Sequence, residues 1–264
     1  MDFVRRHILT LACGILFQPL AWSANISTNP TNFYGVNYDY TNVRFYSPTG
    51  ESGVSADLVG SGLKIDFNGF ASQSSGTNQV IDFSTGNLGL NMSSKLPSTI
   101  GRLDIKSDGT FYIAAPNYST GSAGFNVTVP FNLTLTGVNG NPFLASPPTV
   151  GLSLKVDYTY SSTTAPYSAS TYVDSPNPEF SSGSWTANWS GDVAALFPTV
   201  FTSPTMKVTE ISLAITPNVT VWSQNGTASA YLTDIILQPI PEPSALSLLG
   251  FGGLALFFAR RLRR

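Results

Sequence analysis

From Phe125 to Thr136 the chain alternates. Phe125, Val127, Val129, Phe131, Leu133 and Leu135 fall on one side, and Asn126, Thr128, Asn132, Thr134 and Thr136 on the other. A two-residue period held this long predicts a strand with one face in a core and one in water, as antiparallel sheets allow. The pattern returns at Val150, Leu152, Leu154, Val156, Tyr158 and Tyr160, opposed by Gly151, Ser153, Lys155, Asp157 and Thr159. Asp-Gly and Asn-Gly supply the positive φ that tight connections need. Leu103 to Lys106 and Thr110 to Ala115, around Ser107-Asp108-Gly109, therefore read as one hairpin; Val219 to Ser223 and Thr227 to Leu237, around Gln224-Asn225-Gly226, read as another. Further strands are predicted over Phe33 to Tyr46, Leu58 to Phe67 with a break at Gly60-Ser61-Gly62, Gln79 to Phe83, Trp185 to Trp189 and Met206 to Ile215. Asp192 to Phe197 offers a turn or two of helix at most, and Ser161 to Gly183, with Pro166, Pro176 and Pro178, reads as a long loop. With no solenoid-length repeat, the expected fold is all-β, an antiparallel β-sandwich of jelly-roll type.

The two ends break this pattern. Arg5 and Arg6 precede an apolar stretch from Ile8 to Phe17, and Ala21-Trp22-Ser23-Ala24 gives small residues for cleavage. This is the layout of a secretory signal peptide, whose apolar core is too short to be a transmembrane helix. Thr10-Leu11-Ala12-Cys13 has Thr10 where a lipoprotein box has leucine, so lipidation is not expected. At the other end Gln238-Pro239-Ile240-Pro241-Glu242-Pro243 leads into an apolar run from Ser244 to Ala259, and the chain closes with Arg260-Arg261-Leu262-Arg263-Arg264. The two prolines fix φ and remove two donors, which predicts an extended, exposed Pro241-Glu242-Pro243 strip. The run behind it is apolar enough to enter lipid as a transmembrane helix, yet shorter than the ~20 residues of an ordinary span. The arginines hold the tail in the cytoplasm and leave the bulk of the chain outside.

That order of parts resembles the PEP-CTERM sorting signal of proteins exported by Gram-negative bacteria that make extracellular polysaccharide. The resemblance covers about the last tenth of the chain. It implies recognition and cutting by exosortase, an integral-membrane cysteine protease or transpeptidase of the inner membrane, with Pro241, Glu242 and Pro243 as sorting motif and Arg260, Arg261, Arg263 and Arg264 as cytoplasmic stop. It further implies transient anchoring in the inner membrane, then a place at the cell surface or in the extracellular matrix, with exopolysaccharide as an associate. An ordinary C-terminal anchor gives the same orientation but makes no use of Pro-Glu-Pro. The expected organisation is a signal peptide over 1–24, a β-sandwich domain over 25–238 and the sorting signal over 239–264.

Composition narrows the chemistry. The single cysteine, Cys13, and the single histidine, His7, both sit in the leader, so the processed domain has neither. That removes disulfides, Cys/His zinc sites and any Ser-His or Cys-His nucleophile. Between the two signals, five lysines, Arg44 and Arg102 face thirteen acids, a net charge of −6, which argues against a nucleic-acid partner. No cofactor or metal is expected.

Three constellations remain. Trp185 and Trp189 share one face of a predicted strand about 13 Å apart, a spacing suited to stacking on a sugar chain, although large aromatics on a sandwich strand more often fill the core. Asp174-Ser175-Pro176-Asn177-Pro178-Glu179 groups oxygen donors without the spacing of a calcium loop, and the pair Asp157 and Asp234 has the same duller alternative of a solvated position. A glycosidase can run on two carboxylates without histidine, but the sequence pairs none of them, and Glu51, Glu179 and Glu210 stand in no telling context. Asn-x-Ser/Thr triplets recur from Asn25 to Asn225, as expected of a chain rich in these residues, and hydroxyl-rich outer faces suit hydrated polysaccharide. The expectation is a non-enzymatic structural or adhesive protein, with a carbohydrate-binding module as the alternative and a polysaccharide hydrolase behind it.

Overall fold

The computed structural model describes residues 24–27, 29–50, 53–76, 78–95, 97–114, 122–143, 146–161 and 180–241. Strands follow one another along almost all of this length: β1 (Ala24–Asn25), β2 (Thr31–Tyr34), β3 (Tyr38–Tyr46), β4 (Val54–Val59), β5 (Gly62–Phe67), β6 (Ala71–Gly76), β7 (Val80–Thr85) and β8 (Asn87–Ser94). Then come β9 (Arg102–Ala114), β10 (Ser122–Val138), β11 (Asn141–Pro142), β12 (Thr149–Ser161), β13 (Phe180–Asp192), β14 (Val208–Ile215), β15 (Asn218–Gln224) and β16 (Gly226–Ile240). Among the described residues the one helical element is a 3-10 turn, Ala194–Leu196, inside the segment read as a turn or two of helix.

The strands form two antiparallel sheets. The first runs β1-β4-β5-β16-β9-β13, with β6 lying beyond β5 along the same side of β16. The second runs β2-β3-β8-β14-β10-β15-β7, with β11 and β12 on β10. Here β14 and β15 lie end to end along one side of β10, and β8 and β7 lie end to end beyond them. The two sheets pack face to face around one core, so the chain folds as the expected β-sandwich. Phe125, Val127, Val129, Phe131, Leu133 and Leu135 all point inward and are buried, opposite Ile105, Phe111, Ile113, Leu232, Ile235 and Leu237 of the first sheet. Phe111 meets Phe125 across the gap with ring centroids 4.9 Å apart. Leu154 and Val156 join the core, but Val150 and Leu152 are only partly buried, because among the described residues β12 has a partner strand on one side alone.

Several elements depart from the sequence expectation. Leu103–Lys106 and Thr110–Ala115 are not two arms of a hairpin: β9 runs straight through Ser107-Asp108-Gly109, pairing with β13 on one side and β16 on the other. Gly109 is there for close approach. A β-carbon on it would overlap the Tyr231 carbonyl oxygen and the indole of Trp185, which lies over it. Asn225 does turn the chain at φ 52°, yet β15 and β16 do not pair with each other. The turn carries the chain from the second sheet to the first. The sheets close on each other at this end through serine: Ser72 Oγ donates to the Val219 carbonyl at 3.0 Å, Ser84 Oγ to the Ala71 carbonyl at 2.6 Å, and the Ser74 and Ser223 hydroxyls pair at 2.7 Å. Small hydroxylic side chains let the backbones draw near while satisfying buried polar groups. Phe33 to Tyr46 splits into β2 and β3 at Gly35-Val36-Asn37, and β13 already begins at Phe180, inside the segment read as a long loop, whose residues 162–179 lie outside the described residues.

Candidate functional site

The sorting strip grows directly out of the fold. β16 lies between β9 and β5, with Ile240 opposite Arg102 and Leu237 opposite Leu63. Pro239 faces the core, and the Gly101 amide donates to the Ile240 carbonyl at 3.0 Å. Past that bond the chain leaves the sandwich, and Ile240 and Pro241 are exposed. Glu242, Pro243, the apolar run 244–259 and Arg260, Arg261, Arg263 and Arg264 lie outside the described residues, as do residues 1–23 of the leader. Among the described residues no helix is long and apolar enough to cross a membrane.

The tryptophan pair does not form a sugar platform. Trp185 is 1% exposed, inside the core over Gly109, and Trp189 shares its inward face, half-buried and edge-on to Phe131 with centroids 5.2 Å apart and planes at 70°. Both rings occupy space that glycines leave: a β-carbon on Gly191 would stand 2.5 Å from the Trp189 ring, as one on Gly109 would overlap Trp185. Among the described residues the tryptophan that does face outward is Trp222. On β15 the buried positions are Val219, Val221 and Ser223, which leaves Thr220 and Trp222 on the outer face of the second sheet. Trp222 sits opposite Ile81, and Phe83 sits opposite Thr220, one diagonal step away. Diagonal neighbours on a sheet are about 7–8 Å apart, within reach of aromatic side chains. Ile81 and Phe83 are 61% and 60% exposed, and on the other side Trp222 pairs with Gly124, which has no side chain. Thr220 and Asn126 border this patch, the Asn126 amide donating to Asp157. The sequence does carry a signal for it, since Trp222 falls on the polar side of its strand's alternation.

Asp157 and Asp234 each take the outward position on their own strand that the sequence offered as the duller reading. Asp157 stands on the outer face of the second sheet and Asp234 on that of the first, so they cannot share an ion. Asp234 instead lies between Asp108 of β9 and Asp66 of β5 in one cross-strand row. Lys106 pairs with Asp108 at 2.6 Å and Lys64 with Asp66 at 2.5 Å, while Thr186 Oγ1 donates to Asp108 at 2.6 Å. Burial, followed by the charge of Asp108, pushes the Asp234 carboxyl above the usual carboxylate range, with Lys64 partly opposing. Among the described residues no three His, Cys, Asp or Glu side chains are placed to hold a metal ion. The oxygen-donor segment 174–179, read as a solvated turn without calcium-loop spacing, and Glu51 lie outside the described residues. Glu210 lines a shallow cavity of about 300 Å³ on the outer face of the second sheet, with Thr41, Asn91, Ser93 and Thr136. Beside it a row of hydroxyl and amide side chains, Thr41, Asn91, Ser212, Thr134 and Thr149, crosses five strands.

These features define a class: an antiparallel β-sandwich whose last strand passes straight into a Pro-Glu-Pro strip, an apolar run and an arginine tail. Residues 239–264 match the family model of the PEP-CTERM protein-sorting motif, and the match begins inside β16, at Pro239. The motif marks substrates of exosortase and implies export with transient membrane anchoring before cleavage. No curated protein matches the chain in sequence.

Proposed function

We propose that the chain is an exported, non-enzymatic protein that, once processed by exosortase, serves as a structural or adhesive component of the cell surface or of an exopolysaccharide matrix. The observation that carries this reading is the direct passage from β16 into the sorting motif, which leaves the whole sandwich as cargo. The outer face of the second sheet suits such a place, with its row of Thr, Ser and Asn side chains, and a jelly-roll winding fits the repeated crossings between sheets. The test replaces Glu242 with Ala in cells that contain exosortase. The substitution leaves the apolar run and the arginines intact, so membrane insertion stands while motif recognition weakens. Wild-type chain released or surface-bound at reduced mass, with the Glu242→Ala form held full-length in the inner membrane, supports processing. Equal full-length retention of both refutes it.

One observation favours a second reading, a carbohydrate-binding module: the outward Trp222, Phe83 and Ile81, an uncharged aromatic patch bordered by amide and hydroxyl groups. Sugar rings present apolar C–H faces and hydroxylated edges, which such a surface complements. Pull-down of the full chain on the host's exopolysaccharide, lost in Trp222→Ala, separates it from a purely structural role.

A further inference from the structure

The strand ends sort into two poles. At one lie the exit at Ile240, the Gly35-Val36-Asn37 turn between β2 and β3, and the Gly60-Ser61 turn between β4 and β5. These three are contiguous: Gln238 Nε2 donates to Ser61 Oγ at 2.7 Å, and a β-carbon on Gly35 would touch Leu58 Cδ2 at 3.9 Å. The pole exposes Val36 (73%), Val59 (48%) and Ile240 (37%). Ala24 pairs with Ala56 and Asn25 with Ser55, so β1 runs antiparallel to β4 with Ala24 on the side nearer Val59. At the opposite pole are the crossings at residues 76–80 and at Asn225.

Reach fixes what this pole meets. From Ile240 to Ser244, where the apolar run begins, the chain spans at most about 14 Å however it is arranged. The headgroup layer on each side of a bilayer takes up roughly 5–7 Å of that, which leaves Ile240 no more than about 9 Å above the lipid surface while the run is inserted. The run from Ser244 to Ala259, about 24 Å long as a helix against a hydrocarbon core of about 30 Å, draws it closer still.

We infer that, in the anchored precursor, the sandwich is seated on the inner membrane by this pole, with Val36 and Val59 at the bilayer interface and the Pro241-Glu242-Pro243 strip confined to the gap beneath. The inference rests on the sorting reading above. Charge is not what holds the seat, because Lys95 is paired with Asp39 at 2.8 Å and Arg102 with Asp104 at 2.8 Å. The short connector and the apolar turns are. The fold then acts as a spacer that holds the cleavage strip at membrane level, where an integral-membrane enzyme works.

The test uses full-length chain with Cys13→Ser in lipid vesicles, carrying one fluorophore through Val36→Cys, Val59→Cys or Gln79→Cys, and lipids with a nitroxide quencher in the headgroup region. The two poles are about 50 Å apart along β16, well beyond contact quenching. Quenching several-fold stronger at positions 36 and 59 than at 79, and lost when a long Gly-Ser spacer is inserted between Ile240 and Pro241, is the expected result. Chain that floats with the vesicles but is quenched equally at all three positions overturns the seating alone. Chain that does not float overturns the anchoring and the seating together.

Discussion

The position that most sharply separates a turn from a strand is Gly109, and Gly109→Ala is the substitution that exposes the difference. In the sandwich a β-carbon there must displace either the Trp185 indole or the Tyr231 carbonyl, which belongs to the β9–β16 ladder and cannot yield without shifting β16. Overpacking of this kind costs about 1–3 kcal/mol, and the main-chain obstacle puts the cost in the upper half. For a domain of this size each kcal/mol moves Tm by about 2–4 °C, so Gly109→Ala is expected to lower it by roughly 5–10 °C in a thermal melt followed by tryptophan fluorescence. A hairpin glycine at positive φ also resists alanine, so the decisive variant is Gly109→Asn. A turn tolerates asparagine, whereas a packed strand position suffers more from it than from alanine. Trp185→Phe supplies the second arm. It removes much of the ring without sacrificing a hydrogen bond, since Trp185 Nε1 has no partner among the described residues. Gly109→Ala and Trp185→Phe should therefore couple by about 1 kcal/mol, the double variant being less impaired than the sum. Strict additivity, or a Gly109→Asn variant as stable as wild type, would refute the packing argument.

Other outcomes follow from charges and buried hydroxyls. Asp234→Asn relieves a carboxylate held beside Asp108 and Asp66, and should raise Tm at neutral pH by about 1–3 °C. Because the folded-state pKa of Asp234 is raised, the wild type regains that stability as pH falls through the raised value, so the gap between the two should close in acid; a gap that widens contradicts the assignment. Tyr38, hydrogen-bonded to the Thr99 carbonyl, is pushed up to about 12 by burial, and Tyr40, bonded to the Ser61 carbonyl, is raised further. Their stabilisation is complete below the ordinary tyrosine pKa of about 10 and is lost as pH rises through 12, so ultraviolet titration should show both ionising only as the fold gives way. Ser72→Ala removes the buried bond to the Val219 carbonyl and should cost about 1–2 kcal/mol in urea melts, with an unchanged m-value.

The parts of the fold that were legible are those set by nearest-neighbour chemistry. Burial on one face of β10 follows from its period of two, and no long-range information is needed to see it. What misled was glycine, which serves two purposes that look alike in sequence. Gly60 sits at φ 63° and does turn the chain, as a positive φ requires. Gly109 is extended and lies within a strand because a tryptophan from β13 needs the room, and that tryptophan is 76 residues away in the chain. Asn225 shows a further limit: the local conformation of a turn says nothing about whether the strands it joins share a sheet. Here the buried serines decide it, and a serine in a strand reads as an outward residue until its partner is known.

The functional surfaces divide along the same line. A sorting tail is recognised as extended chain, so its chemistry lies in contiguous residues, and Pro241-Glu242-Pro243 with its apolar run and arginines could be read without any fold at all. The surface that remains after processing is built by register. Asp66, Asp108 and Asp234 become neighbours only because β5, β16 and β9 align, and Trp222 meets Ile81 and Phe83 only because β15 lies beside β7. No window of sequence contains either group. The one surface on which both kinds of information meet is the pole at Ile240, where strand register sets which turns are exposed and the linear motif sets what they face. It is there that the mature domain and its address can act on each other, and separating them with an inserted spacer therefore tests the fold and the signal at once.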